Sequence, residues 1–250
     1  MASRWLARRA FTALAVCALL QALCIILTAL NPWPNQAFFK LLTPSNLPAS
    51  LAGLSIALAL LLAPALTLRP DESGVSQPNP KDARATGLRA LFAGCWLAGA
   101  GLFFLLVASR LSAVPSDNLL RAALVLGVTG TFAAAFAAFF PRAYLGAALF
   151  WAIGLPILAY LLTETFYALP HGSMGWQRAT SPEALRLKST VHTLLEFSPG
   201  TAMVGAVQGQ LPGGEEMGWK AALKFVAFCG LSSIALMLIR RRWTAPVSAE

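Results

Sequence analysis

Long uninterrupted apolar runs, not an alternation of apolar and polar positions, dominate the chain. The runs are Ala10–Leu30, Ala49–Leu68, Ala90–Ala108, Ala122–Phe140, Ala143–Thr163 and Ala221–Ile239. A helix needs about 20 mostly apolar residues to cross the hydrocarbon core of a bilayer, and each run reaches about that length. Within lipid a helix satisfies its own backbone groups, which an open sheet edge cannot do. The pattern predicts an all-α, polytopic membrane protein, a single transmembrane domain over 1–250 with six transmembrane helices. No acidic or basic residue lies near the centre of any run, so a proton-coupled pathway is disfavoured. Gln21 is the clearest mid-span polar side chain and is expected to bind a neighbouring helix. Glu164 and Arg121 fall at span ends, from which they can snorkel.

The polar stretches between the runs are uneven. Residues 69–84 are rich in Pro, Ser and Gly, which forbids a long helix there. A short helix over 81–91 is expected to lead into the third span. Phe140-Pro-Arg-Ala143 leaves room only for a tight hairpin between the fourth and fifth spans. About 55 residues, 164–220, separate the fifth span from the sixth. In that segment Thr180-Ser-Pro-Glu183 reads as a helix start, with Pro182 at the first helical position and Glu183 in the first turn. The helix is expected to run to about Glu196. Ser198-Pro199-Gly200 then restarts a second piece, Thr201–Val207, too short to span and too apolar to be solvated. It reads as a re-entrant or interfacial segment packed against protein. Gly209-Gln-Leu-Pro-Gly-Gly214 turns the chain into the last span.

Composition agrees with this layout. The chain is 57% hydrophobic and 12% charged, with a mean hydropathy of +0.66. Soluble domains carry about 25% charged residues, so this chain cannot coat a water-facing surface. The basic n-region Arg4, Arg8 and Arg9 could precede a cleaved signal peptide. Ala10–Leu30 is longer than the usual apolar core of such a peptide, however, and no A-x-A site follows. Asn31-Pro-Trp-Pro34 instead reads as a helix stop with Trp33 at an interface.

Charge sets the expected orientation. With the N-terminus in the cytoplasm, the inner segments hold Arg4, Arg8, Arg9, Arg69, Lys81, Arg84, Arg89, Arg142, Arg240, Arg241 and Arg242, the majority of the 19 basic residues. That asymmetry places both termini in the cytoplasm. The net charge of +9 then suits anionic headgroups on the inner leaflet and no nucleic-acid partner is expected.

No catalytic constellation emerges, and no enzyme activity, cofactor or metal is expected. The sequence has no G-x-x-x-x-G-K-[ST] for nucleotide phosphates and no His-Glu-x-x-His. His171 and His192, the only histidines, are 21 residues apart in the long outer segment and read as solvated. Cys17, Cys24, Cys95 and Cys229 all fall within spans and read as small packing residues.

The layout resembles the permease subunits of ABC-2 type transporters. These share six spans with both termini inside, a cytoplasmic loop after span two, and a broken outer helical hairpin between spans five and six. Three segments carry the likeness. Leu60-Leu-Leu-Ala-Pro-Ala-Leu-Thr67 is similar to the family's ending of span two. Gly130–Arg142 is similar to its span-four ending, a small-residue run closed by an aromatic and a basic turn. Glu196-Phe-Ser-Pro-Gly-Thr201 resembles the start of its second extracellular helix. The family's acidic loop element is reduced here to Asp71-Glu72, and its N-terminal amphipathic helix to Ser3–Ala10.

The resemblance implies a multi-pass protein of the cytoplasmic (inner) membrane that works beside a cytoplasmic ABC ATPase and a second permease copy or sister permease. It places coupling to the ATPase at Arg8, Arg9, Asp82, Arg84 and Arg89, and an outer gate at Phe197, Pro199 and Met203. The same absence of catalytic residues fits a membrane anchor or assembly subunit of a larger complex.

Overall fold

The computed structural model describes residues 2–30, 43, 45–67, 83–112, 114–140, 143–168, 182–211 and 216–243. Among these the chain is helical throughout, apart from short turns and one isolated bridge between Gln210 and Glu216. The helices are α1 (Ala2–Ala29), α2 (Leu47–Thr67), α3 (Ala83–Ser112), α4 (Ser116–Phe139), α5 (Tyr144–Leu149), α6 (Leu155–Ala168), α7 (Pro182–Phe197), α8 (Pro199–Gln208) and α9 (Trp219–Trp243). Five stretches are long and apolar enough to cross a membrane: Ala10–Ala29, Gly87–Arg110, Ser116–Phe139, Tyr144–Glu164 and Trp219–Ile239. The second predicted span corresponds to α2, apolar over Leu47–Ala63. The short helix expected over 81–91 is not separate, because α3 continues from Ala83 without a break.

The centre of the molecule is α2, α3 and α4, packed on one another, with α1 against α2 and α3, and α9 against α4. Small residues allow the helices to approach closely, the usual solution where helix association gains little from the hydrophobic effect. Gly94 of α3 faces Gly130 of α4 so closely that a Cβ on Gly94 would lie 2.6 Å from the Gly127 carbonyl oxygen. Gly101 leaves the space taken by Leu126 of α4 and Ser55 of α2. Around these contacts Ala52, Ala59, Ala63, Ala90, Ala93, Ala134 and Ala135 are fully buried. By contrast, Tyr144–Glu164 is largely exposed, its apolar side chains Leu149, Phe150, Ile153 and Ile157 among them.

Two prolines shape the elements around the site. Pro156 lacks an N–H, so the regular helical bond to the Ala152 carbonyl four residues back is missing. Just before it a π turn over Phe150–Gly154 joins α5 to α6, and the Leu155 N–H donates to Phe150 O. The Phe150 ring lies over Gly154, where a Cβ would meet it at 2.6 Å. Pro199 likewise ends α7 and starts α8, with Ser198 in extended conformation between them. α8 is buried between α2 and α4, while α7 packs along α6. At its far end Gly209 takes a positive φ of 77° and closes α8 with an N–H bond to Gly205 O, the left-handed cap that glycine favours.

Candidate functional site

The α7–α8 break lies inside the bundle, with Ser198 and Pro199 both buried. Its depth is set by Trp151, whose Nε1 donates to the Phe197 carbonyl at 2.7 Å. Trp151 lies seven residues beyond Tyr144, about 10 Å along the helix at 1.5 Å per residue. The break is therefore level with the interior of the apolar run Tyr144–Glu164. A carbonyl freed by proline at that depth must find a partner within the protein. Pro199 orphans Leu195 O, and the Thr201 hydroxyl donates to it. Ser198 N–H donates to Leu194 O, and the Ser198 hydroxyl is buried with no partner among the described residues.

A charged group sits at this same break. Glu196, the next-to-last residue of α7, is buried, with its side chain 5% exposed. Burying a carboxylate is expensive unless it is paired. Lys224 of α9 supplies an ammonium 3.2 Å and 3.4 Å from its two oxygens. His192, one turn earlier on α7, places Nε2 3.1 Å from Oε1. The ammonium side of the cluster is the open one, since the Lys224 side chain is 49% exposed. The ion pair and the Phe197–Phe228 ring contact, with centroids 5.0 Å apart, tie the hairpin to α9.

The other end of α8 is held by polar side chains at the start of α4. Asn118 Nδ2 donates to Val207 O at 2.9 Å. Arg121 donates to the Met217 carbonyl and to Asn118 Oδ1, and its guanidinium lies 6.0 Å from the Trp219 ring. Trp219 Nε1 in turn donates to Asp117 Oδ2 at 2.8 Å. These bonds join α4 to the end of α8, the turn around Gly209 and the start of α9. Arg121, expected to snorkel, is instead buried at 7% exposure, because the Met217 carbonyl and the Asn118 side chain offer it partners inside the protein.

The residues expected at the outer gate fall on this hairpin. Pro199 and Met203 are buried, Met203 completely, and Phe197 is half-buried against Phe228. Of the residues expected at the ATPase surface, Arg8 is exposed on α1 and Arg89 half-buried on α3. Both lie toward one end of the bundle: Trp96 Nε1 donates to Ala10 O at 3.1 Å, and a Cβ on Gly87 would meet Met237 Sδ of α9 at 3.1 Å. Thus α1 and α3 begin where α9 ends. Asp82 and the side chains of Arg9 and Arg84 lie outside the described residues.

The sequence pattern marks Glu196 only as a helix end and assigns no role to Lys224, although Lys224 sits one turn inside the last apolar run. A lone lysine in such a run, together with a His192/Glu196 pair at helical i, i+4 spacing, is the signal that could have found them. His192 is thereby engaged on α7 and is not simply solvated; His171 lies outside the described residues. Gln21 is buried, but its carbonyl oxygen has no partner among the described residues. Among those residues no three His, Cys, Asp or Glu side chains gather to hold a metal. No protein family, curated protein or solved structure matches the chain.

Proposed function

We propose that this chain is the membrane-spanning permease subunit of an ATP-driven ABC-2 type transporter in the cytoplasmic membrane. In this reading α2 is the sixth crossing and both termini are cytoplasmic. A separate ATPase and a second permease copy or sister permease complete the transporter. The observation that carries it is the α7–α8 hairpin: a broken helix pair at the depth of the apolar run, with its freed carbonyls satisfied internally and a buried carboxylate at its tip. Ionisable groups at such depth are expensive to maintain and usually mark function.

The mechanism is mechanical. The ATPase would bind at the end of the bundle where Arg8 and Arg89 lie, with Arg9, Asp82 and Arg84, close to them in the sequence, contributing to the same coupling. Its closure on ATP would rock the two membrane halves and alternately open a pathway between them. The hairpin moves with α9 through Glu196–Lys224 and with α4 through Asn118 and Arg121, which makes it the gate. Phe197, Pro199 and Met203 are its moving surface.

Purification from the native membrane in mild detergent tests this. A stoichiometric P-loop ATPase should accompany the chain, and its ATP hydrolysis should fall when Asp82, Arg84 and Arg89 are together replaced by alanine. Recovery with other membrane subunits and no ATPase would overturn the proposal in favour of an anchor or assembly subunit.

A further inference from the structure

A cavity of about 180 Å³ lies between α2, α4, α5 with its π turn, and α9. Leu60, Phe132, Phe136, Tyr144, Trp151 and Phe228 form most of its wall. The polar atoms of that wall are turned away or spent. The Tyr144 hydroxyl donates to Leu60 O, and Trp151 Nε1 donates to Phe197 O. What remains is an almost wholly apolar chamber framed by aromatic rings, with Phe132 and Trp151 edge to face at 5.0 Å. For scale, an apolar cavity of roughly 150 Å³ in an engineered protein stays dry and takes up benzene. This one is large enough for a stretch of aliphatic chain, and water has nothing to bind inside it.

The surroundings decide between occupants. Phe228, on the cavity's rim, is 42% exposed. Leu223 and Leu231 of the same helix are exposed as well, as are Leu149 and Phe150, which follow the cavity-lining Ala148 in sequence; such side chains meet lipid in a spanning helix. One turn toward the start of α9 from Phe228 is Lys224, on the same helix face. Its ammonium is the accessible half of the ion pair, because the Glu196 carboxylate is buried behind it. Both Glu196 oxygens lie on one side of that ammonium, and its other side is open to an oxygen anion. Apolar chamber, lipid-facing rim and exposed cation lie in line along α9.

We infer that this cavity is a binding site for an anionic lipid of the bilayer, holding part of one acyl chain against Trp151 and Phe228 while Lys224 faces the headgroup side. The site stands on the spanning helices alone and holds whether or not the chain transports anything. Chain and charge make separable contributions. The cavity supplies affinity for any acyl chain, and Lys224 supplies preference for a negative headgroup. Because the same lysine holds Glu196 at the hairpin tip, an anion drawn to it competes with the carboxylate and bears directly on how tightly the hairpin is tied to α9.

Native mass spectrometry of the full chain in mild detergent, with phosphatidylglycerol and phosphatidylcholine added in equal amounts, tests both parts. The wild-type chain should retain one phosphatidylglycerol in about tenfold preference to phosphatidylcholine. Ala147→Phe, which fills the cavity from its α5 wall, should lower retention of both lipids at least tenfold. The paired replacement Glu196→Gln with Lys224→Met, which removes both charges together, should leave retention but erase the preference. Retention unchanged by Ala147→Phe in a chain with an unaltered melting point would overturn the site, and preference surviving the paired replacement would overturn the role of Lys224. The wild-type protein alone provides an independent check with phosphatidylglycerol carrying a diazirine on its acyl chain. Adducts should map to Phe132, Phe136, Trp151 and Phe228, and adducts confined to other helices would refute the proposal.

Discussion

Replacing Gly94 by alanine is the sharpest test of the packing that positions the site. A Cβ at this position would fall 2.6 Å from the Gly127 carbonyl oxygen, 2.9 Å from Thr131 N and 2.0 Å from Thr131 Oγ1. The hydroxyl could rotate only by giving up its 2.9 Å bond to Gly127 O, and the other two atoms are backbone, which cannot turn aside. Carbon needs about 3.5 Å to a non-bonded neighbour, so α3 and α4 must separate by roughly 0.6–0.9 Å. A radial gap of that size forfeits about a quarter to a half of each dispersion contact along the crossing. Overpacking of this kind costs about 1–3 kcal/mol and occasionally more. With backbone as the obstacle, we expect about 3 kcal/mol.

Gly99 on the same helix is the internal control, since nothing lies within 4 Å of its would-be Cβ. Alanine there should be neutral or stabilising by up to about 1 kcal/mol, the helix-propensity difference. At about 2–4 °C per kcal/mol for a chain of this size, Gly94→Ala should lower the melting point in detergent by roughly 6–12 °C. Gly99→Ala should leave it level or slightly raised. Equal melting points for the two variants would refute the close crossing of α3 and α4.

Three further outcomes follow from the site. Lys224→Met alone leaves the Glu196 carboxylate buried without its cation and should destabilise the chain by about 1–3 kcal/mol, less than for a fully buried pair because the lysine is half exposed; adding Glu196→Gln should restore most of the loss, measured as a double-mutant cycle in melting point. Thr201→Val removes the donor to the carbonyl that Pro199 orphans, costing about 1–3 kcal/mol, and should speed amide hydrogen exchange across α7 and α8 while leaving α3 and α4 unchanged. Gly209→Ala forces a side chain into the left-handed region at φ 77°, costing about 1–2 kcal/mol, and should increase proteolytic cleavage between α8 and α9; cleavage at the wild-type rate would show that the cap does not hold that turn.

The hairpin shows how far local sequence reaches. Pro182 marks the start of α7 and Pro199 that of α8, because a proline at the first helical position acts through its own missing N–H and fixed φ, with no need of a distant partner. The apolar run Thr201–Val207 reads as a buried segment for an equally local reason: seven residues cannot cross a bilayer and, being apolar, cannot face water. The π turn was within reach too, since Pro156 sits inside the fifth run, but a proline announces a disturbed helix without saying whether it kinks, breaks or widens. That choice depended on what packs against it. Around the turn the Phe150 ring lies over Gly154 and α8 packs against it.

What the sequence by itself determined, then, is the alphabet of elements: apolar runs of membrane length, their breaks, and the segment too short to span. Those properties are sums over neighbouring residues, and neighbours are what a sequence displays. The tertiary structure alone decided which side chains meet. Glu196 finds Lys224 across 28 positions, Arg121 finds the Met217 carbonyl across 96, and Trp151 finds the Phe197 carbonyl across 46. Each pairing depends on helix rotation and depth, which the Gly94–Gly130 crossing and the wedge of α8 between α2 and α4 constrain. An apolar run carries almost no record of its rotation, because a helix surrounded by lipid and protein is apolar on every face.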